Sequence, residues 1–394
     1  MEKKLKIFNG QILTPFRIIP EGTLVVTGNK ITDIAEGHID VDGAFEIDAK
    51  GQYVSPGFID IHVHGGGGHD FMDGSVEAFL KIAETHAQYG TTSMLPTALT
   101  AEKEELFKIL EIYKQADKEN FSGAQFLGLH LEGPYFAMNQ RGAQDPRYIR
   151  NPDPGEYKEI ISRSSDIKRW SAAPELPGAI EFARYLKSKG ILVALAHTDA
   201  IYEEVVIGFE NGFTLATHFY SLMNGVIRRN AFRYAGAIEC AYQMDEMDVE
   251  IIADGIHLPP SLLKLIYKLK GTDRIALITD AMRAAGMPPG ESILGSLHNG
   301  LKVIVEDGVA KLPDRTSFAG SVATTDRLVR NMVNMAGVPL TDAVRMMTRT
   351  PASILGIEDK KGSLIPGKDA DILIFDEDIQ VKMTIVNGKI IYKK

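Results

Sequence analysis

The stretch FIDIHVHGGGGHD, residues 58–70, joins an apolar run to two histidines and four consecutive glycines. His62 and His64 are two residues apart, so on a β-strand their side chains point to one face and can share one ion. The alternative is that both histidines lie on the solvated side of a strand. The sequence on either side of this stretch indicates both the fold and the role of the two histidines.

The middle of the chain alternates between two hydrophobic patterns. Helical spacing of apolar residues is followed, again and again, by a short and nearly continuous apolar run. Such alternation is typical of parallel β/α units. We count about seven or eight units between about residues 56 and 350, the size of a (β/α)8 barrel of the TIM type. An open, doubly wound sheet is the alternative α/β architecture. Helices are predicted at 75–90, 104–118, 179–190, 202–212 and 260–271, and strands at 91–98, 124–134, 191–200, 213–221, 250–257 and 274–281.

The two ends of the chain have a different character. Residues 1–55 and 355–394 consist of short apolar runs separated by turn signals, including Asn9-Gly10 and Asn387-Gly388. Asn-Gly between apolar runs favours a β-hairpin. We therefore predict one small β domain built from residues 1–55 plus 355–394, beside a catalytic barrel formed by residues 56–354.

The composition limits the function classes. The chain has 394 residues, of which 44% are hydrophobic, and carries 43 basic against 52 acidic side chains for a net charge of −9. A mildly acidic protein is not expected to have nucleic acid or an anionic membrane as its main partner. Cys240 is the one cysteine, which fits a reducing compartment. With no apolar leader or long apolar span in the sequence, we expect a cytoplasmic protein.

Histidines and acidic residues, the types that bind metal ions, fall at the predicted ends of the strands. In a (β/α)8 barrel the carboxyl ends of the strands carry the chemistry. Any one of these residues alone has an ordinary structural explanation, such as a buried histidine or a helix cap, but together these ligand-type residues favour a metal site with a carboxylate, Asp280, within reach for proton transfer. Imidazole and carboxylate without thiolate suit Zn²⁺ or Fe²⁺. The residues are His62, His64, Glu132, His197, His218, His257 and Asp280.

The order of these residues resembles the amidohydrolase superfamily of metal-dependent barrel hydrolases. Within it, the sequence is most similar to the family of N-acetylglucosamine-6-phosphate deacetylases, and the similarity covers nearly the whole chain. The resemblance implies a TIM-type barrel with a small β-sandwich domain formed by both chain ends. It rests on the motifs VSPGFIDIHVHG (54–65), LGLHLEGPYF (127–136), AHTDA (196–200), ATHFYSLM (216–223), IIADGIH (251–257), ITDAM (278–282), FAGSVAT (318–324) and PGKDADILIFD (366–376).

The resemblance also implies roles for single residues. Glu132, His197 and His218 would bind a principal metal ion, and His62 and His64 a second one, so that one or two ions are expected. Asp280 would orient the attacking water and protonate the leaving amine. His257 would contact the substrate, and an arginine of the partner subunit in a homodimer, Arg228 or Arg229, would complete a phosphate site.

Three positions depart from the family pattern. Ser221 replaces a usual asparagine, Leu222 a usual alanine, and Gln144 lies where some members have a histidine that polarises the acetyl carbonyl. Gln144 can still donate a hydrogen bond there. These departures leave the hydrolytic centre intact and bear on the choice of sugar.

Three hypotheses follow for function. The first is deacetylation of N-acetylglucosamine 6-phosphate to glucosamine 6-phosphate and acetate. The second is deacetylation of another N-acetyl amino sugar, such as N-acetylgalactosamine 6-phosphate or an unphosphorylated sugar. The third is a non-catalytic barrel that senses an amino-sugar phosphate, which predicts a broken site and is disfavoured by the complete ligand set with Asp280.

Overall fold

The computed structural model describes residues 3–394. The N-terminal part consists of five β-strands whose buried residues contribute to one apolar cluster. Its strands are β1 (Lys4–Leu13), β2 (Ile18–Thr27), β3 (Lys30–Glu36), β4 (Phe45–Asp48) and β5 (Tyr53–Pro56).

The Asn9-Gly10 pair does not form a hairpin, and this prediction is wrong. Both residues lie inside β1, at an irregularity where Asn9 has a φ of 57°. The strand pairs with β4 before this point and with β5 after it. A Cβ atom on Gly10 would lie 2.6 Å from Val54 Cγ2, so glycine is needed for the close approach of β5.

The middle of the chain forms alternating strands and helices. Short 3-10 helices add turns at Phe71–Asp73, Met138–Gln140 and Thr272–Arg274. In chain order the elements are β6 (Phe58–Val63), β7 (Gly65–Gly66), β8 (His69–Asp70), α1 (Val76–Ala87), β9 (Thr91–Ala98), α2 (Lys103–Glu119), β10 (Gln125–Phe126), β11 (Leu129–Glu132), α3 (Pro154–Arg163), β12 (Ile167–Ala172), α4 (Ala179–Ser188), β13 (Leu192–Leu195), α5 (Tyr202–Glu210), β14 (Phe213–Ala216), β15 (Ile227–Arg229), β16 (Phe232–Tyr234), α6 (Ala237–Gln243), β17 (Asp248–Ile251), α7 (Pro260–Lys270) and β18 (Ile275–Leu277).

Eight parallel strands of this region form the barrel. They pair in the order β6, β9, β11, β12, β13, β14, β17 and β18. The strand β12, with Arg169 in its middle, was not predicted from the sequence. Alternate residues of the barrel strands, among them Ile61, Leu215 and Ala276, make a separate apolar cluster, while the opposite faces pack on the helices.

The barrel closes between its first and last strands. Val63 bridges Ala281 in parallel, and the amides of His64 and Gly65 donate to the carbonyl of Ala281 at 2.9 and 2.8 Å. A Cβ atom on Gly65 would lie 2.8 Å from the backbone nitrogen of Arg283, so glycine permits this contact. The glycine run that follows β6 takes part in a small antiparallel ladder, in which β7 pairs with β8.

The remaining elements follow the barrel. A four-stranded hairpin sheet, β19 to β22, is inserted before the last helices, and the final three strands add to the N-terminal sheet through the pairing of β23 with β5. The elements are β19 (Gly290–Leu294), β20 (Leu301–Glu306), β21 (Val309–Lys311), β22 (Phe318–Ser321), α8 (Thr325–Asn334), α9 (Leu340–Met346), α10 (Arg349–Ile354), β23 (Ile372–Phe375), β24 (Val381–Val386) and β25 (Lys389–Lys393).

The predicted fold class is confirmed. A TIM-type barrel stands beside an eight-stranded β domain with its own apolar core, and both chain ends contribute strands to that domain. The domain boundaries proposed from the sequence stay a prediction. Within residues 3–394, every helix is too short or too polar to cross a bilayer.

Candidate metal centre

The candidate ligands collect at one end of the barrel because each ends a strand or follows one. Glu132 is the last residue of β11 and His62 lies in β6, while His197, His218 and Asp280 come shortly after β13, β14 and β18. These last three residues have φ values of 47°, 31° and 47°. Non-glycine residues in the left-handed region cost about 1–3 kcal/mol each, and such strain is concentrated at functional sites.

Glu132 lies at the centre of the cluster. Its Oε1 atom is 3.1 Å from His218 Nε2 and 3.5 Å from His197 Nε2. The same oxygen is 3.4 Å from His62 Nε2, while Oε2 is 3.3 Å from His64 Nε2. Two groups able to hold a metal therefore share this carboxylate, one with His62 and His64 and the other with His197 and His218.

Asp280 lies beside the first of these groups. Its Oδ1 atom is 3.1 Å from His64 Nε2 and 3.5 Å from His62 Nε2. The side chain is buried but borders the cavity described below. A carboxylate in this place can exchange a proton with a molecule bound between the ligands and the solvent.

Hydrogen bonds on the far side of two rings set which nitrogen faces the centre. His64 Nδ1 is 3.2 Å from the carbonyl of Thr97, and His197 Nδ1 is 2.8 Å from the carbonyl of Gln140. A carbonyl only accepts, so each ring carries its proton on Nδ1 and leaves Nε2 free as a ligand. Phe136 stacks on His197 with ring centroids 4.3 Å apart and fixes its plane.

The electrostatics of the centre favour a bound cation. Burial alone would raise the pKa of Glu132, but His62, His197 and His218 hold it well below its ordinary range. Burial likewise opposes protonation of His62, yet Glu132 and Asp280 raise its pKa to about 9. The two carboxylates thus draw positive charge onto the rings, and a divalent ion would replace those protons. The donor set therefore fits a divalent metal.

A polar layer beneath the ligands was not predicted from the sequence. Arg169 of β12 and Glu250 of β17 form a fully buried ion pair, with 2.7 Å between Nη2 and Oε2. Next to them, His130 Nε2 lies 2.7 Å from Ser171 Oγ. The available signal was a charged residue inside an otherwise apolar strand.

Four of the five candidate ligands, His64, Glu132, His197 and His218, form the floor of a cavity of about 500 Å³. Four predicted substrate-binding residues line it: Gln144, Ser221, Leu222 and His257. Gln144 Nε2 donates to Glu132 Oε2 at 2.8 Å, so its amide helps to orient this candidate ligand. His257 is held at Nδ1 by Asp254 Oδ2, 2.8 Å away, which leaves Nε2 available to a bound molecule.

Arg228 and Arg229 are not brought into this cavity by their own chain. Both lie on the exposed hairpin of β15 and β16. Two other cations line the cavity instead, Lys311 of β21 and Arg315 of the turn that follows it. Each is paired with Glu306, and sequence analysis did not predict their position.

Residues 53–391 match the sequence profile of the amidohydrolase family. The chain belongs to this family. It is 36% identical to an N-acetylglucosamine-6-phosphate deacetylase of Lysinibacillus sphaericus, over 92% of this chain and 91% of that protein. It is 35% identical to an N-acetylgalactosamine-6-phosphate deacetylase of Escherichia coli O157:H7, over 86% and 88%.

A solved structure shares the whole architecture of this amidohydrolase. The N-acetylglucosamine-6-phosphate deacetylase of Pasteurella multocida superimposes with a TM-score of 0.92 at 30% identity, covering 99% of this chain and 100% of that one. The resemblance stated from the motifs is confirmed.

Proposed function

We propose that this amidohydrolase removes the acetyl group from N-acetylglucosamine 6-phosphate, giving glucosamine 6-phosphate and acetate. The observation that carries the proposal is the shared carboxylate of Glu132, which joins two histidine pairs beside Asp280 on the cavity floor. The similarity to deacetylases of this substrate over more than nine-tenths of the chain supports the choice of reaction.

The metal is proposed to be Zn²⁺ or Fe²⁺, with one or two ions per chain. Glu132, His197 and His218 would hold the principal ion, and His62 and His64 would hold a second with the same glutamate. When bound, such an ion polarises a carbonyl group and makes water more acidic. Imidazole and carboxylate ligands without thiolate suit both metals.

The proton transfers are assigned to Asp280. As a carboxylate it accepts a proton from the water that forms the new C–O bond to the acetyl carbon. It then returns this proton to the sugar nitrogen as the C–N bond breaks, so that acetate and the amine leave. Burial opposes the ionised form of Asp280, but His62 and His64 lower its pKa and keep it a base.

The substrate would be held by the cavity walls. His257, Ser221 and Leu222 are proposed to contact the sugar phosphate, and Gln144 to keep Glu132 oriented and to border the acetyl group. Lys311 and Arg315 supply positive charge on the same cavity wall as Phe318, whose ring centroid is 4.6 Å from that of His257. A phosphate near His257 would gain charge-assisted hydrogen bonds from these groups.

A second candidate is N-acetylgalactosamine 6-phosphate. The relative of Escherichia coli O157:H7 named for that substrate is as similar to this chain as several named for the gluco epimer. Ser221 and Leu222, which depart from the family pattern, line the cavity. An unphosphorylated amino sugar is the remaining alternative.

Three further proposals concern the whole protein. We propose a cytoplasmic location, supported by the single buried cysteine, Cys240, which fits a reducing compartment. We propose a homodimer in which Arg228 or Arg229 reaches the partner's cavity, supported by the exposed hairpin that also carries Phe232 at 71% exposure. Light scattering of the purified protein tests the dimer.

Residues 1–55 plus 355–394 are proposed as one domain and 56–354 as the other.

The test of the substrate is a comparison of acetate release. The metal-loaded enzyme is given N-acetylglucosamine 6-phosphate, its galacto epimer and unphosphorylated N-acetylglucosamine at equal concentrations. We expect the highest kcat/KM for the first compound. Turnover of either other sugar without turnover of the first would support the hydrolytic centre but contradict the proposed substrate.

A further inference from the structure

The buried Arg169–Glu250 pair lies directly behind the candidate ligand His62. Glu250 Oε2 is 3.6 Å from His62 Nδ1, the ring nitrogen that faces away from Glu132. Among residues 3–394, no group forms a hydrogen bond with this nitrogen, and the same is true of His218 Nδ1. The Nδ1 atoms of His64 and His197 do have such an acceptor, a backbone carbonyl in each case. Glu250 therefore stands where the acceptor for His62 is expected.

Arg169 holds both the carboxylate and the backbone of the ligand strand. Its guanidinium forms a two-pronged contact with Glu250, and Nη1 also donates to the carbonyl of Ile61 at 3.0 Å. Nη2 donates to Thr217 Oγ1 at 2.9 Å, in the residue that precedes His218. One side chain thus contacts the residues just before a ligand of each metal group.

The burial of this pair calls for a role beyond stability. Both side chains are fully buried. Removing two charges from water costs several kcal/mol per ion, and a buried ion pair often contributes no more stability than apolar residues of the same volume. A carboxylate behind a metal-bound histidine, by contrast, fixes the protonated nitrogen, the ring plane and the basicity of the ligand.

We propose that Arg169 and Glu250 are positioning residues for the metal centre. The charge of Glu250, 3.6 Å from His62 Nδ1, favours the tautomer with its proton on that nitrogen, so that Nε2 is left as a ligand. Arg169 holds Glu250 and the Ile61 carbonyl in place. The inference rests on the proposed metal centre and is independent of which sugar is hydrolysed. It assigns a function to two residues that touch neither the substrate nor the metal.

The test is a metal titration of the purified protein. Apo-protein is titrated with Zn²⁺ against a chromophoric chelator, and the number and affinity of bound ions are compared between the wild type, His62→Ala and Glu250→Gln. We expect Glu250→Gln to weaken the same ion as His62→Ala, by about 10–100-fold. Asp371→Asn is the matched control, because Asp371 is a buried carboxylate paired with Lys361 at 2.6 Å in the β domain; it should bind Zn²⁺ as the wild type does.

A double variant separates positioning from a simple loss of folding. Glu250→Gln leaves Arg169 unpaired and could unfold the barrel, whereas Arg169→Met with Glu250→Leu replaces the pair by apolar side chains. We expect this double variant to keep its circular dichroism spectrum and to lose the affinity of the ion at His62. Wild-type zinc affinity in the folded double variant, or in His62→Ala, would overturn the proposal. A wild type that binds zinc with these differences but does not hydrolyse the sugar would overturn only the proposed function.

Discussion

His64 Nε2 and Asp280 Oδ1 are 3.1 Å apart across the seam where the barrel closes. His64 follows the first barrel strand and Asp280 follows the last, and their neighbours Val63 and Ala281 form the bridge between the two strands. The contacts that close the barrel therefore also bring these two site residues together. Asp60 adds to this seam, since its Oδ1 atom accepts from the amide of Thr279 at 3.3 Å.

Substitution of Glu132 tests whether this carboxylate is shared by the two groups of candidate metal ligands. Glu132→Gln removes the charge that both histidine pairs face, so we expect the bound metal to fall at both positions and hydrolysis to be lost with it. Metal content by mass spectrometry and acetate release measure the two effects. Asp371→Asn serves as the control for loss of a buried carboxylate. A full metal complement in Glu132→Gln would contradict the shared position.

Substitution of the proposed base separates chemistry from binding. Asp280→Asn cannot take a proton, so kcat should fall by about 10²–10⁴-fold, the usual contribution of a general acid or base. KM should change much less, and the metal content should stay that of the wild type. Steady-state kinetics together with metal analysis check this outcome. An unchanged kcat would refute the role of Asp280.

The cations of the cavity wall predict a dependence on phosphate. Hydrogen bonds to charged groups contribute about 1.5–3 kcal/mol, so Lys311→Met or Arg315→Met should lower kcat/KM for the phosphorylated sugar by roughly tenfold or more. The unphosphorylated sugar should be unaffected. Lys302→Met, at an exposed position of β20, is the control on the same hairpin. Equal losses for both sugars would show that these side chains support the cavity without binding phosphate.

The bulge in β1 predicts an effect on stability alone. A methyl group at Gly10 would overlap Val54, so Gly10→Ala should lower the free energy of unfolding by about 1–3 kcal/mol, as overpacking does. Adding Val54→Ala should recover part of that loss, since the two residues are in contact. Denaturant unfolding of the single and double variants measures the coupling. Additive losses would show that the overlap is not the cause.

Predictions from the sequence were correct where a pattern is compatible with only one structure. Strand-ending histidines and carboxylates predicted a barrel-end cluster, because parallel strands bring their carboxyl ends to one side. Asn9-Gly10 led to a wrong prediction, because this pair of residues occurs both in hairpin turns and in β-bulges. Only the strands that pair with β1 show which of the two it forms. The strand β12 was not predicted, because the charged residue Arg169 in its middle interrupts the apolar run. Lys311 and Arg315 reach the cavity through the packing of an inserted sheet, which no local pattern encodes.

Removal and return of the metal test the central claim most directly. The protein is stripped with a chelator, its metal content is checked, and acetate release from N-acetylglucosamine 6-phosphate is followed before and after addition of Zn²⁺ or Fe²⁺. We predict that activity disappears in the stripped protein and returns with the added ion. Full activity in the metal-free protein, or none after the ions are bound again, would contradict a metal-dependent deacetylase.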